Sequence, residues 1–491
     1  VSNILALASV IFSMQVYDRV IPSKSLSTLY VLFAGVILAV FFDFLLRSLR
    51  TRMIDVLGKR TDIEISDTAF GHALRVKNQS RPTSTGTFIA QLRDLEQVRE
   101  LLTSTTVAAF ADIPFFLLFL FIFWTIGGTL VLIPLCAFVL LVLPGILLQG
   151  KLRTTANLAM RESTLRNAML VEAIQGIDDI KALQVEDAFQ QKWNQHNAVA
   201  AQVQLKLRSI TNGLTAWSNT IQNLTFAAVV VIGAPIVIDG DMTTGALVGR
   251  SILGSRMMAP MAQLTQILGR YQQAKVGLKS IDTVLSLPTD HPIDDTRISA
   301  PSLSGTYKFD KAVFFYGQPT GNPALTVPRL QIDAGEKIAI LGRNGAGKST
   351  LLLGFAGMLE PAYGEVLIDD LSLKHIDPAD LRSNVGLMTQ DSRLFHGTIR
   401  DNITMGARHA TDDEIVYALK MTGAHEFIRK TPLGLDHIIL EGGRGLSGGQ
   451  KQALMLSRVI LRDPSVVLFD EPTAAMDEAA EREFVTQFGK W

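Results

Sequence analysis

Apolar residues are distributed unevenly along the 491 positions. Before about residue 270 they form long runs. Beyond it they form short runs interrupted by polar residues, the pattern of an ordinary soluble α/β protein. A bilayer crossing needs about 20 predominantly apolar residues, and the runs predict six crossings, at about 1–17, 26–46, 105–125, 128–149, 217–238 and 244–268. The middle four meet the length and hydrophobicity criteria. The first run, Ile4 to Val16, is short, and it is read as a membrane helix whose beginning precedes Val1. A signal peptide fits poorly, because no basic segment comes first and Tyr17–Pro22 is not a small-residue cleavage site. The sixth run carries Arg250, Arg256, Gln263 and Gln266, so it is expected to face protein or water rather than lipid.

Basic residues flank one set of helix ends: Arg47, Arg50 and Arg52, then Lys151 and Arg153, then Lys275 and Lys279. The turns near 126–128 and 239–243 carry no Lys or Arg. The basic side is therefore cytoplasmic, and both ends of the chain lie there. The cytoplasmic loops, about 47–104 and 150–216, keep helical spacing, as in Leu165, Ala168, Met169, Glu172, Ala173 and Gly176. Helices that continue out of the membrane and turn at a short tip are expected, with the tips as candidate contacts to the second domain. A separate folded insertion is disfavoured because the loops lack strand signals and Gly/Pro punctuation.

Composition changes this picture little. Mean hydropathy is +0.26, and 46 basic residues balance 46 acidic ones, so nothing suggests a nucleic-acid partner. The single cysteine, Cys136, sits in an apolar run and is read as packed or lipid-facing rather than nucleophilic. Asp112, just before Pro114, is a candidate cap or kink. Asn219, Gln222 and Asn223 share one helical side, where interhelical hydrogen bonding is the first reading and a transport path the second. A stretch rich in Pro, Ser and Asp near 286–305 reads as a linker, with His291 a solvated member. The domains expected are 1–285 in the membrane, the 286–305 linker and 306–491.

The second domain carries the chemistry. Lys337–Leu341 reads as a buried strand, and it runs into Gly342-Arg343-Asn344-Gly345-Ala346-Gly347-Lys348-Ser349 and then a helix, Thr350 to Met358. This is a complete phosphate-binding loop in its strand–loop–helix setting. Glycines let backbone N–H groups turn toward phosphate oxygens, and the helix N-terminus adds a favourable dipole. Lys348 is suited to the β- and γ-phosphates of a nucleotide, and the Ser349 hydroxyl to Mg²⁺. A second strand, Val466–Phe469, ends in Asp470-Glu471. Carboxylates at a strand's C-terminal end face the crevice where open α/β sheets bind ligands, so Asp470 suits the metal and Glu471 the attacking water. Between them, Leu446-Ser447-Gly448-Gly449-Gln450 precedes a helical run from Lys451 to Leu461. It reads either as a plain helix start or as a second anion site.

Together these residues resemble the nucleotide-binding domain of the ABC transporter superfamily, whose signature motif Leu446–Gln450 matches letter for letter. The fold implied is multidomain: an all-α six-helix transmembrane domain of the exporter type, then an α/β P-loop nucleotide-binding domain. The resemblance implies a head-to-tail homodimer that holds ATP and Mg²⁺ between the loop of one chain, Gly342 through Thr350, and Ser447, Gly448, Gly449 and Gln450 of the other. Further matches imply that Tyr316 stacks on adenine and that Gln390 senses Mg²⁺ and water. Ala474–Asp477 is similar to the loop that communicates across the dimer, and Glu441–Gly445 to the segment that touches exporter loop tips. On the residues alone Tyr316 would be a core or edge aromatic. A switch histidine of the family lies beyond the Asp477 loop, and neither His396 nor His425 is placed to substitute. The reading is of a piece cut at both ends that binds ATP and hydrolyses it poorly.

The order of domains resembles exporters. Met14–Pro22, Leu26–Leu32 and Asp112–Phe116 resemble type I secretion ATPases, and Leu394–Ile403 onward to Asp477 resembles the subgroup that exports RTX-type adhesins. This implies a bacterial inner-membrane location, a periplasmic membrane fusion protein, an outer-membrane channel, a secreted protein substrate and alternating access driven by ATP. An exporter of lipids, drugs or small peptides, a non-transporting regulatory ABC ATPase, and an inactive copy are the alternatives.

Overall fold

The computed structural model describes residues 2–5, 7–82, 84–93, 104–290, 297–317 and 321–491. His291 lies outside the described residues, as do the side chains of Asp112 and Gln266. The chain divides into two compact units, Val1–Leu74 with Pro82–Leu287, and Arg75–Arg81 with Pro288–Trp491.

The first unit is helical. Ala8–Gln15 continues through a π-helical turn, Val16–Val20, into Ile21–Ser23. Leu26–Arg75 follows, then Thr85–Arg93, Ser104–Gly127, Leu132–Leu147, Gln149–Gln175, Ile177–Ala182, Glu186–Ile238 and Thr244–Leu285. The helix Leu26–Arg75 has 50 residues, or about 75 Å at the α-helical rise. That is more than twice the roughly 30 Å hydrocarbon thickness, so most of its second half lies outside a bilayer. Glu186–Ile238, with 53 residues, does the same. The helices expected to continue out of the membrane are thus present, and the second loop turns at residues 183–185.

Among the described residues four helical stretches are long and apolar enough to cross a membrane: Asn3–Ser23, Leu26–Arg75, Gly128–Leu147 and Glu186–Ile238. A shorter apolar stretch is Ile113–Thr125. The helix Thr244–Leu285 is not among them, and it buries Leu253, Met257, Met258 and Met261 against Phe116, Phe123, Ile221 and Val229. A helix that turns its apolar side to protein can carry Arg250, whose guanidinium donates to the Met242 sulfur. Gln222 Nε2 donates to the Ser255 carbonyl at 3.1 Å and so makes the interhelical bond expected of that polar face, while Asn219 and Asn223 are exposed. The helix Ser104–Gly127 runs through Pro114 without ending, and Cys136 is exposed. Leu152 and Ala156 of Gln149–Gln175 pack on Leu207 and Leu214 of Glu186–Ile238.

One polar contact joins the first and last of these helices. Asp18, in the π-helical turn, accepts from Thr243 Oγ1 at 2.8 Å and from the Gly245 amide at 2.7 Å. It thereby satisfies donors at the start of Thr244–Leu285 that have no intrahelical partner. A Cβ at Gly245 would stand 2.4 Å from the Met14 carbonyl, so only glycine permits this approach.

The second unit is mixed α/β. Its four-stranded antiparallel sheet has the order β2-β1-β3-β4, from β1 (Tyr307–Phe314), β2 (Leu325–Ile332), β3 (Tyr363–Ile368) and β4 (Leu371–Ser372). In β1 the buried positions are Tyr307 and Phe309, then Ala312 and Phe314. Strict alternation would put the second pair on the wrong face. A register shift between Asp310 and Val313 inserts one residue and returns both pairs to the core. Gly364 lies against this bulge, where a Cβ would meet the Lys311 carbonyl at 2.1 Å. β5 (Val385–Met388) and β8 (Val466–Phe469) form a parallel pair, and β6 (Gly397–Thr398) and β7 (Ile438–Ile439) an antiparallel one. The core around Phe309, Phe314, Phe355 and Ile368 also takes in Val385 of β5 and Leu468 of β8.

Within the stretch read as a linker, Ala300 and Leu303 belong to that core. Residues 75–81, a loop tip, are held in this unit. Val76 bridges Thr289, and Lys77 Nζ lies 2.6 Å from Glu360 Oε1.

Candidate nucleotide-binding and catalytic site

The stretch Lys337–Leu341, read from the sequence as a buried strand, is neither buried nor a strand. Ile338 is 52 %, Ile340 37 % and Leu341 90 % exposed, and among the described residues no strand pairs with it. An apolar run supplies strand propensity, but a strand forms only where a neighbour accepts its ladder. Here the run joins neither the β5–β8 pair nor the four-stranded sheet.

The loop that follows does take the expected form. Gly345 and Gly347 have φ of 78° and 88°, a left-handed backbone that glycine adopts without steric cost. Gly342, Arg343, Asn344, Gly345 and Ala346 are exposed. Lys348 Nζ reaches back into the curl of the loop and donates to the carbonyls of Gly342 and Arg343 at 3.0 and 3.1 Å. The helix is Lys348–Phe355, two residues earlier at its start than expected. Its end precedes Met358 because Gly357 adopts φ 64° and the Met358 amide bonds back to Leu353, a left-handed helix stop. Ser349 is exposed on the first turn. Thr350 is buried, and its hydroxyl lies 3.1 Å from the Tyr316 hydroxyl. Tyr316 itself is 62 % exposed, so its ring is not the core aromatic that residue type alone suggests.

Asp470 and Glu471 end β8, beside β5. The Asp470 amide donates to Met388 O at 3.0 Å, which extends the parallel ladder to the carboxylate positions. Asp470 is buried and Glu471 exposed. Gln390, two residues past the end of β5, donates from Nε2 to Glu471 Oε2 at 3.2 Å. The parallel pairing of β5 and β8 therefore brings together two side chains that stand 81 positions apart in sequence. Glu471 has φ 51°. A non-glycine residue there costs about 1–3 kcal/mol unless its surroundings hold it, and the following Pro472 independently favours extended backbone at this position.

Ser447 caps the helix Gly448–Leu461, which therefore starts three residues before the expected Lys451. The Ser447 hydroxyl accepts from the Gln450 amide at 3.2 Å, and the Gln450 side chain accepts from the Ser447 amide at 2.9 Å, a reciprocal capping box. Cβ atoms built on Gly448 and Gly449 would lie 3.2 Å from Ala475 Cβ and 3.1 Å from Ala475 O. The turn after Glu471 thus packs directly on the two glycines.

This set of loop, carboxylates and capped glycine helix coincides with a match over residues 325–474 to the ABC transporter family. Residues 1–261 match the ABC transporter transmembrane region. The chain belongs to the ABC transporter family. It binds ATP and is an ATP-hydrolysing exporter, a multi-pass membrane protein. This transporter is 31% identical over 482 residues to the cyclolysin secretion/processing ATP-binding protein CyaB of Bordetella pertussis, across 98% of this chain and 67% of that protein. It is 30% identical over 483 residues to the leukotoxin translocation ATP-binding protein LktB of Mannheimia haemolytica, with the same coverage. Its fold matches the structure of a bacterial Atm1-family ABC exporter with ATP bound, at TM-score 0.84 and 22% identity, over 100% of this chain and 86% of that one.

Two residues of the transporter's signature helix were passed over in the sequence. Gln452 is 7% exposed and touches the backbone of Glu471. The only sequence signal is an amide in the buried stripe with Leu456 and Val459. Arg458 donates to Asn402 O at 2.8 Å, to Asn402 Oδ1 and Arg393 O at 3.1 Å, and stands over the Phe395 ring. Burial pushes its guanidinium below the usual arginine range. It anchors the segment that follows Gln390 to the signature helix.

Proposed function

We propose that this transporter exports a polypeptide across the bacterial inner membrane as the ATPase and permease of a type I secretion system. The observation that carries the reading is similarity over 98% of the chain, membrane helices included, to relatives named for cyclolysin secretion and leukotoxin translocation. A periplasmic membrane fusion protein and an outer-membrane channel are its proposed partners.

At the ATPase site the loop Gly342–Thr350 wraps the phosphates, with the Lys348 ammonium as the β/γ contact. Ser349, Asp470 and Gln390 would supply oxygen ligands to Mg²⁺ beside the phosphate oxygens, and the ion would neutralise charge on the β- and γ-phosphates. Glu471 acts as the base toward the attacking water, with Gln390 steering its carboxylate. Tyr316 packs on adenine. Ser447, Gly448, Gly449 and Gln450 of a second copy cap the nucleotide in a homodimer, where the glycine amides and the helix dipole meet the γ-phosphate. ATP favours the closed dimer, and its hydrolysis releases it.

The test is secretion. Cells carrying the intact gene should release into the medium a protein that a Lys348→Ala strain retains. Equal release by both strains contradicts the reading. Release of lipid or peptide with no protein cargo assigns the transporter to another exporter branch.

A further inference from the structure

The strained conformation of Glu471 has a specific holder. Gln452 Nε2 donates to the Glu471 carbonyl at 2.9 Å, and Gln452 Oε1 accepts from the Ala475 amide at 2.8 Å. One partner is a carbonyl and the other an N–H, so they fix which end of the carboxamide faces which. The two bonds span the turn 471–475 from its first residue to its last. The Glu471 carbonyl also accepts from the Ala474 amide at 3.3 Å, and the Met476 amide bonds Thr473 O at 2.9 Å, so the turn is closed on itself and clamped at both ends.

We propose that Gln452 is a positioning residue for Glu471: its buried carboxamide locks the backbone turn after the carboxylate and so sets where that carboxylate points for hydrolysis. Backbone rotation at residue 471 swings the whole side chain, and the Gln390 contact at 3.2 Å constrains only its tip. Gln452 lies on the first turn and a half of the signature helix, behind Gly448 and Gly449, which touch Ala475. A displacement of that helix end therefore reaches Glu471 through the Gln452 side chain as well as through Ala475. The turnover rate becomes sensitive to whether the signature glycines of the same chain are engaged, a coupling carried by packed groups that change position together. This inference rests on Glu471 acting as the base.

The experiment uses the full-length protein reconstituted in lipid, with four variants: Gln452→Met, which keeps the shape and removes both bonds; Gln452→Glu, which when ionised keeps an acceptor for Ala475 and loses the donor to Glu471; Glu471→Gln; and the Glu471→Gln/Gln452→Met double variant. Each buried bond lost from the clamp is expected to lower kcat about 5- to 100-fold. The KM for ATP should stay near wild type in both Gln452 variants, while the melting temperature falls in each because buried hydrogen bonds are lost. Because Gln452 acts through Glu471, the double variant should be no slower than Glu471→Gln alone. Wild-type kcat in Gln452→Met overturns the proposal, and if that variant fails to fold, wild-type kcat in Gln452→Glu at a pH where the carboxyl is ionised does so. So does a fall in kcat matched by loss of ATP affinity, or a double variant slower than Glu471→Gln by the full Gln452→Met factor. Wild-type turnover in Glu471→Gln instead overturns the assignment of the base.

Discussion

Gln390 and Glu471 meet at 3.2 Å, amide to carboxylate, although 81 residues separate them. One residue follows β5 and the other follows β8. Their contact records the parallel register Met388↔Phe469 carried on to the Met388–Asp470 hydrogen bond. If this contact aims the carboxylate at water, Gln390→Ala should lower kcat by about 10- to 100-fold, the cost of losing one charge-assisted hydrogen bond, while ATP binding falls less. Steady-state ATPase kinetics check this. An unchanged kcat would make the contact incidental.

The exposed ring of Tyr316, tethered through its hydroxyl to Thr350, is a ready platform for a flat aromatic ligand. Tyr316→Ala should weaken ATP affinity about 2- to 10-fold, the usual worth of one aromatic contact. Tyr316→Phe should keep the stacking and lose only the tether. Fluorescent-nucleotide titration distinguishes them.

The Asp18 contact to Thr243 and Gly245 predicts a stability effect remote from ATP. Asp18→Ala leaves a first-turn donor of the helix Thr244–Leu285, the Gly245 amide, unpaired and should cost about 1–2 kcal/mol. Gly245→Val forces a side chain onto the Met14 carbonyl and should cost more. Thermal melting in detergent reads both. Melting equal to wild type in Gly245→Val would contradict the close approach.

Asp369 supplies a pH-dependent term in the second unit. Burial alone would raise its pKa, but hydrogen bonds from the Ser304 hydroxyl and from the amides of Thr306, Ser304 and Gly305 outweigh burial and hold the carboxyl below its ordinary value. A depressed folded pKa contributes stability that is fully present above the unfolded carboxylate pKa of about 4. It is lost as the pH falls through the folded value. Asp369→Asn should therefore melt below wild type at pH 7, and the gap should narrow as the pH falls below about 4. A gap independent of pH would contradict this account.

The sequence spoke most clearly where one residue type has one physical use. Gly345 and Gly347 take positive φ because the loop demands it, and Ser447 with Gln450 three residues later is a helix start by its own chemistry. The long helices followed from runs no other element can accommodate, and the protein-facing side of Thr244–Leu285 from charges that require it. Non-local pairing was illegible. Lys337–Leu341 has a strand's composition and no strand partner among the described residues, while β1 hides a bulge that simple alternation cannot reveal. Gln452 shares its spacing with leucine and valine, and only the folded turn after Glu471 gives its amide anything to hold.

The most direct test of the central claim is the equilibrium affinity of the reconstituted protein for ATP, compared with Lys348→Ala. Loss of one charged contact to phosphate should weaken binding about 10- to 150-fold. Equal affinity in the two proteins, or no measurable affinity in either, would contradict the assignment of the Gly342–Thr350 loop as the ATP site.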